Sequence, residues 1–318
     1  MKTYLAIDFG GTRSRAALFD AELRLMRRAE TLSRVADGPE DTLGRLVDLG
    51  WSLLDEGSRP VAIGIAAPGP LDTEAGLIIK AKTLPGWSRV PIAQALSAAF
   101  DGAPAFVEND GNLGALAEYR LGAGRGADPM LYLTISTGIG GGAIIDGELF
   151  NGARALAIEP GHMRLTQPDG SVRRLEELAS GAALGDLAQR QLRNTDAPSS
   201  LRTRQHVDGQ AVGEAARAGD ALALSVVRQA GEWLGLGLVN LLHLFNPAAI
   251  VLGGGAAQMG DLLLDPAREV MREHVLHDGF LPPNLLRLAH FSEDTCLTGA
   301  ALHSRDKLAR GDTSMDRS

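Results

Sequence analysis

Glu108-Asn109-Asp110-Gly111-Asn112 places four polar side chains among five residues, after an apolar stretch from Ala103 to Val107 and ahead of a helical pattern. A helix cap needs one such residue. Capping by Asn109 or Asp110 therefore leaves the others unexplained, and a ligand site is an equal reading. An aspartate at such an edge can take the proton of an attacking alcohol in phosphoryl transfer, where the remaining work is positioning and charge neutralisation. Asp8 closes an apolar run just before a glycine turn; it either caps that turn or holds a hydrated Mg²⁺ beside phosphates, as hard oxygen ligands do. Glu159 and His162 in Glu159-Pro160-Gly161-His162, together with Glu176, add two carboxylates and an imidazole. Sugar hydroxyls donate and accept at once, so sugar sites favour such groups. Taken singly, His162 is a structural hydrogen bonder and Glu176-Glu177 a solvated helix face.

Three glycine turns follow apolar stretches: Gly10-Gly11-Thr12, Thr137-Gly138-Ile139-Gly140 with two further glycines, and Gly253-Gly254-Gly255. Backbone amides in such turns form anion-binding concavities without any lysine. One alone reads as a hairpin turn, whereas three, two with a threonine hydroxyl, point to phosphates. None is a P-loop and none is G-x-G-x-x-G between strand and helix. The net charge of −8 argues against a grip on nucleic acid or anionic membrane through bulk charge. Cys296 is the single cysteine, so neither an internal disulfide nor a multi-thiolate metal site can form, which fits a reducing, cytoplasmic setting. No signal-peptide core follows Lys2, and the most apolar stretch, Leu234 to Ala257, is broken by Asn240, His243, Asn246 and Pro247.

At 318 residues the chain has room for about two domains of roughly 150 residues. Thr3–Phe9 and Ser14–Phe19 read as a hairpin, Glu40–Glu56 as a helix, Pro60–Ala67 as a strand, Pro91–Phe100 as a helix and Ala103–Val107 as a strand. The kind of pattern recurs: Leu113–Leu121 helical, then Met130–Ser136 and Gly141–Asp146 as strands about the second glycine turn. The remainder is mainly helical (Leu175–Arg193, Gln210–Ala218, Asp220–Phe245, Asp261–His274), with a strand at Ala249–Leu252. The two hairpins, alike in pattern more than in sequence, suggest a duplicated α/β architecture.

Taken in order, these motifs resemble the ROK family of sugar kinases and sugar-responsive repressors, in particular its glucokinase-like members. Asp8-Phe9-Gly10-Gly11-Thr12, Ala67-Pro68-Gly69-Pro70-Leu71-Asp72, Leu84-Pro85-Gly86-Trp87, Glu108-Asn109-Asp110 with Asn112, Leu133 to Gly142, and Asn246-Pro247 to Gly255 carry the likeness. The resemblance implies an α/β, actin-like (ribonuclease H-like) two-domain sugar kinase fold whose domains close a cleft over ATP and a hexose. It implies an N-terminal α/β domain over 1–109 completed by a C-terminal helix near 297–309 and a larger domain over 110–296; by their polar composition the last residues, 310–318, read as a disordered tail. By position, Asp110 is the base on the sugar hydroxyl, and Asn109, Glu159, His162 and Glu176 bind the ring hydroxyls. Asp8 sits by Mg²⁺ through water, Gly10, Gly11, Thr12, Thr137 and Gly138 at the phosphates, and Gly254 and Gly255 near the adenosine.

The activity implied is ATP-dependent phosphorylation of a hexose at the 6-hydroxyl, glucose first. A kinase of another hexose or N-acetylhexosamine, a catalytically silent sugar-binding regulator, a sugar-sensing repressor and a polyphosphate donor are the alternatives. The implied partners are the hexose and ATP, in a homodimer or homotetramer, with no nucleic acid and no membrane. Three departures stand out. The family's cysteine zinc module between the histidine and the glutamate is replaced by Pro168 to Arg174, so no structural zinc is expected. Ile158 stands where the family usually has Gly, and Gly111 where it has Ala.

Overall fold

The computed structural model describes residues 2–80 and 84–311. The expected disordered tail falls mostly beyond them. The chain divides into two compact units, one made of 1–120, 150–157 and 293–318, the other of 121–149 and 158–292.

In the first unit, strands β1 (Tyr4–Phe9), β2 (Arg13–Phe19), β3 (Leu25–Leu32), β4 (Ala62–Ala67) and β7 (Ala105–Asn109) form one sheet in the order β3-β2-β1-β4-β7. β1–β2 and β2–β3 are antiparallel, whereas β1–β4 and β4–β7 are parallel. Period-two alternation splits β1 between two cores. Leu5, Ile7 and Phe9 join Leu46 and Leu49 of helix α1 (Pro39–Trp51) and Leu96 of α2 (Ile92–Ala99); Tyr4 and Ala6 join Leu113 of α3 (Asp110–Arg120) and Leu297 of α9 (Thr295–Ala309). Asp8 shares the parity of Tyr4 and Ala6. A short ribbon of β5 (Leu71–Asp72) and β6 (Leu77–Ile78) lies between β4 and α2 in the chain.

β3 escapes the sequence reading because its eight residues are all exposed or half-buried, and Leu25-Met26-Arg27-Arg28 shows no alternation of apolar and polar residues. The expected domain boundary at 109/110 also gives way. Helix α3 stays with the first unit because α9 crosses it at backbone contact: a Cβ on Gly299 would stand 2.0 Å from the Leu113 carbonyl oxygen. Gly64 of β4 gives α9 similar access, since a Cβ there would lie 1.9 Å from the Ala300 oxygen.

The second unit repeats the topology. β8 (Met130–Ile135), β9 (Ile139–Ile145), β10 (Glu148–Leu149), β13 (Ala249–Gly253) and β14 (Leu286–Leu288) run in the order β10-β9-β8-β13-β14, with β8–β13 and β13–β14 parallel. A ribbon of β11 (Arg164–Thr166) and β12 (Val172–Arg174) precedes helices α4 (Glu176–Ala179), α5 (Gly181–Asn194), α6 (Gly209–Arg217), α7 (Ala221–Phe245) and α8 (Asp261–His274). The helix expected over Leu175–Arg193 breaks at Ser180, which is extended and caps α5 by accepting from the Ala183 amide. The break lets the Gly181 amide donate to the Ser136 oxygen at 2.7 Å. In α7, Leu222, Val226, Leu234, Leu238 and Leu241 are buried within this unit, so most of its apolar face is core. Gly231 and Gly235 admit α8, with added Cβ atoms only 2.4 Å and 2.8 Å from the Leu263 and Ala267 oxygens. No described helix is long and apolar enough to cross a membrane.

Candidate active site

In the first unit the parallel register Asp8↔Ala66, Ala66↔Glu108 and Ala67↔Asn109 brings Asp8 and Asn109-Asp110 to the carboxyl edge of one sheet. Open α/β sheets bind ligands along such edges. Asp110 is the first residue of α3, which starts three residues earlier than its apolar pattern predicts. The Gly111 amide donates to Asn109 Oδ1 and to Asp110 Oδ1, each at 2.8 Å, so Asn109 caps the helix and Asp110 shares its amide. Asp110 nevertheless sits where burial pushes its carboxyl above the ordinary carboxylate range. Asp8 is pushed up to about 6, first by burial and then by the Asp110 charge, with Arg15 and Arg28 opposing. Arg15 Nη1 lies 3.8 Å from Asp8 Oδ2.

Glu108 is buried and its carboxyl raised by that burial, while it accepts from the Asn109 amide (2.7 Å) and Asn112 Nδ2 (3.0 Å). It therefore braces the segment from behind. Cys296 Sγ lies 3.6 Å from the Asp110 oxygen, and burial with the nearby Asp8 and Asp110 charges holds its thiol well above its ordinary value. It is a small, half-buried packing group rather than a nucleophile. Neither Arg15 nor Cys296 is legible at this edge from sequence, since each comes from a separate element.

The first glycine turn is shaped rather than lined by Gly10. Its amide donates to the Arg13 oxygen at 3.2 Å, and a Cβ there would meet that oxygen at 2.7 Å. Ser33 pins the turn, its hydroxyl donating to the Gly10 oxygen at 2.6 Å and its amide to the Thr12 oxygen at 2.9 Å. Trp87 of the expected substrate loop is buried with its ring 4.7 Å from that of Phe9, which makes it core.

In the second unit Thr137-Gly138 and Gly254-Gly255 follow the carboxyl ends of the paired parallel strands β8 and β13. Gly254 must be glycine on two counts, φ +85° and a Cβ that would lie 2.4 Å from the Ile135 oxygen; that oxygen accepts from the Ala256 amide at 2.9 Å. The glycine run after Ile139 lies in β9, which starts two residues before the strand expected from Gly141. Gly140, Gly141 and Gly142 pair within β9 against Thr134, Leu133 and Tyr132. A Cβ on Gly141 would meet Pro160 Cγ at 2.9 Å, and one on Gly161 the Ile139 oxygen at 2.1 Å. The run thus seats the turn Pro160–His162 directly on β9, between Glu159 and His162.

Glu159 Oε2 and His162 Nδ1 stand 3.7 Å apart. Ile158, before them, holds φ +63°, a left-handed backbone that a β-branched residue rarely adopts. A glycine, which the resemblance implies at this position, would adopt that backbone without strain. Glu176 opens α4 behind Leu175, whose side chain fills the space left by Gly237 of α7, and Glu176 Oε2 would be 3.1 Å from a Cβ on Gly138. Arg174, which the sequence reading passed over, bonds Glu176 and Glu177 at 2.6 Å and 3.0 Å. Its guanidinium is held above its ordinary value by the Glu177 hydrogen bond and the Glu176 charge. Among the described residues no group of three or more His, Cys, Asp or Glu stands together as a metal site.

The ROK family profile matches residues 4–307. The chain belongs to the ROK family. It is similar to a glucokinase of Streptomyces coelicolor, 30% identical over 318 residues, 95% of this chain and 97% of that one. It is 36% identical over 270 residues to the bifunctional enzyme NanE/NanK of Brucella melitensis, covering 85% of this chain and 48% of that protein. Among solved structures, a ROK family glucokinase from Streptomyces griseus in complex with glucose and AMPPNP superposes with a TM-score of 0.83 at 32% identity, over 96% of this chain and 99% of that one. Fold and likeness together make this ROK protein a glucokinase-like hexose kinase of actin-like α/β architecture.

Proposed function

We propose that the chain transfers the γ-phosphoryl group of ATP to the 6-hydroxyl of a hexose, glucose before others. The observation that carries this reading is Asp110: a carboxyl at a strand–helix junction whose burial raises its proton affinity, beside the turn that follows Asp8. A base of that kind takes the hydroxyl proton as the oxygen–phosphorus bond forms and ADP leaves. Asn109, Glu159, His162 and Glu176 bind the ring hydroxyls. Gly11 and Thr12, in the turn shaped by Gly10, contact the phosphates together with Thr137 and Gly138; Gly254 and Gly255 lie at the adenosine.

The crowded Asp8 and Asp110 carboxyls suit a hard divalent cation, which would relieve their repulsion. Asp8 would hold the magnesium of Mg-ATP through water, and that ion when bound neutralises phosphate charge. No structural zinc is needed in this reading, since the β11–β12 ribbon and Arg174 join the histidine and glutamate segments. The likeness to a glucokinase solved with glucose and AMPPNP supports both substrates.

The test is ADP release from Mg-ATP against glucose, mannose, fructose, N-acetylglucosamine and N-acetylmannosamine, with polyphosphate as a second donor. Turnover with glucose and ATP above the other pairs is expected. Preference for an N-acetylated sugar or for polyphosphate replaces the substrate assignment, and sugar binding without any turnover replaces the kinase with a regulator.

A further inference from the structure

Arg174 ends β12 one residue before the buried Leu175, and its guanidinium joins the two segments that carry His162 and Glu176. Nη1 lies 2.6 Å from Glu176 Oε1, and Nη2 bonds Glu177 Oε1 at 3.0 Å. The arginine's own amide donates to Glu177 Oε2 at 2.9 Å, so Glu177 grips both ends of the residue. On the other side Nη1 stands 3.5 Å from His162 Nε2. The ribbon brings these groups together: Arg164↔Arg174 and Thr166↔Val172 pair across it, and the Leu175 amide donates to the Met163 oxygen at 2.9 Å.

Arginine has only donors to offer. A ring nitrogen facing it presents its lone pair, so the neutral imidazole carries its proton on Nδ1, on the side of Glu159 Oε2. The side chains of Arg174 and Glu177 are 34% and 38% exposed, and ion pairs so open add little to stability. Their fixed fork instead sets where a carboxylate and an imidazole point.

We propose that Arg174 is a positioning residue for hexose recognition, its guanidinium fixing the Glu176 carboxylate and the Nδ1–H form of His162 in one register. This rests on the reading above, in which those two residues bind the sugar. Arg174 itself touches neither sugar nor phosphate.

The test compares Arg174→Ala, Arg174→Lys and Glu177→Gln with the parent full chain. Hexose KM, donor KM and kcat are measured, together with ¹⁵N imidazole spectra of the sugar-free protein, in which His162→Gln identifies the resonance. Because small misplacements of binding groups are costly, hexose KM should rise about tenfold or more in Arg174→Ala, with donor KM within about twofold. Lysine, a point charge, should not restore it. Glu177→Gln, which loosens the fork and spares both sugar-binding groups, should move hexose KM the same way by less.

In the spectrum Nε2 should be unprotonated in the parent and gain the proton in Arg174→Ala. A hexose KM that stays within about twofold of the parent in Arg174→Ala, or rises alongside donor KM to the same degree, overturns the proposal. So does a parent spectrum with the proton on Nε2. If the parent turns over no hexose, the kinase reading falls, and the imidazole spectrum decides by itself whether Arg174 sets His162.

Discussion

Asp110 and Asp8 share one sheet edge but call for different experiments. Asp110→Asn keeps an acceptor for the Gly111 amide, leaves the Asn109 cap in place and removes the proton acceptor. Turnover should fall by on the order of 10²–10⁴, the range for loss of a positioned base, while sugar binding by calorimetry stays near the parent's. Full turnover in that variant would remove Asp110 as the base. For Asp8 the sign follows from its folded value of about 6 against 3.8 when unfolded. A carboxyl raised by folding favours the fold only while protonated, so its contribution is intact below the unfolded value and is lost as pH rises through the folded one. That loss is at most about 3 kcal/mol, and less because 21% of the Asp8 side chain meets solvent. Asp8→Asn should therefore gain stability relative to the parent between about pH 4 and about pH 7.5 in urea unfolding without divalent cations. An unchanged difference across that range would show that the crowding is not felt.

At the level of elements, glycines decide which segments can touch. Gly141 in β9 and Gly161 in the following turn let the Glu159–His162 segment lie on the sheet, with the Pro160 ring filling the space a β9 side chain would take. Gly141→Ala drives a methyl toward the Tyr132 oxygen at 2.8 Å. Overpacking of this kind costs about 1–3 kcal/mol, which urea unfolding would register. Because Glu159 and His162 ride on the displaced turn, hexose KM should rise with the loss of stability while donor KM changes less. A variant with both constants unmoved would mean that the turn can give way without carrying those side chains with it.

Across the whole molecule, one sheet order appears twice: an antiparallel three-strand meander extended by two parallel strands. In each copy the polar residues gather where the first strand ends and a glycine turn begins. The ribbon of β11 and β12 stands where the family resemblance implies a cysteine zinc module, and its ends are joined by backbone and arginine bonds. Metal analysis of purified protein should find no stoichiometric zinc, and chelator should leave its melting temperature unchanged. One zinc per chain would require ligands outside the groups described above.

The sequence by itself determined the chain order of the apolar core strands and most of the long helices, the three glycine turns and the residues that flank them. Each of these depends on local rules: alternation, helical spacing, and the backbone freedom of glycine at Gly254 with φ +85°. It also singled out Asp8, Asp110, Glu159, His162 and Glu176 by residue type and order. It missed β3, whose exposed residues carry no core-facing alternation, and it ran α4 and α5 together, because the break at Ser180 is set by the Gly181–Ser136 bond across 45 residues of chain. It ran the second glycine turn on to Gly140 and began the next strand at Gly141, whereas β9 starts at Ile139 and its glycines make room for Pro160. Only the tertiary structure joined Asp8 to Arg15 and Asp110, and Arg174 to His162 and Glu176. Those contacts depend on strand register and on which backbone can approach which, and neither is written in local sequence.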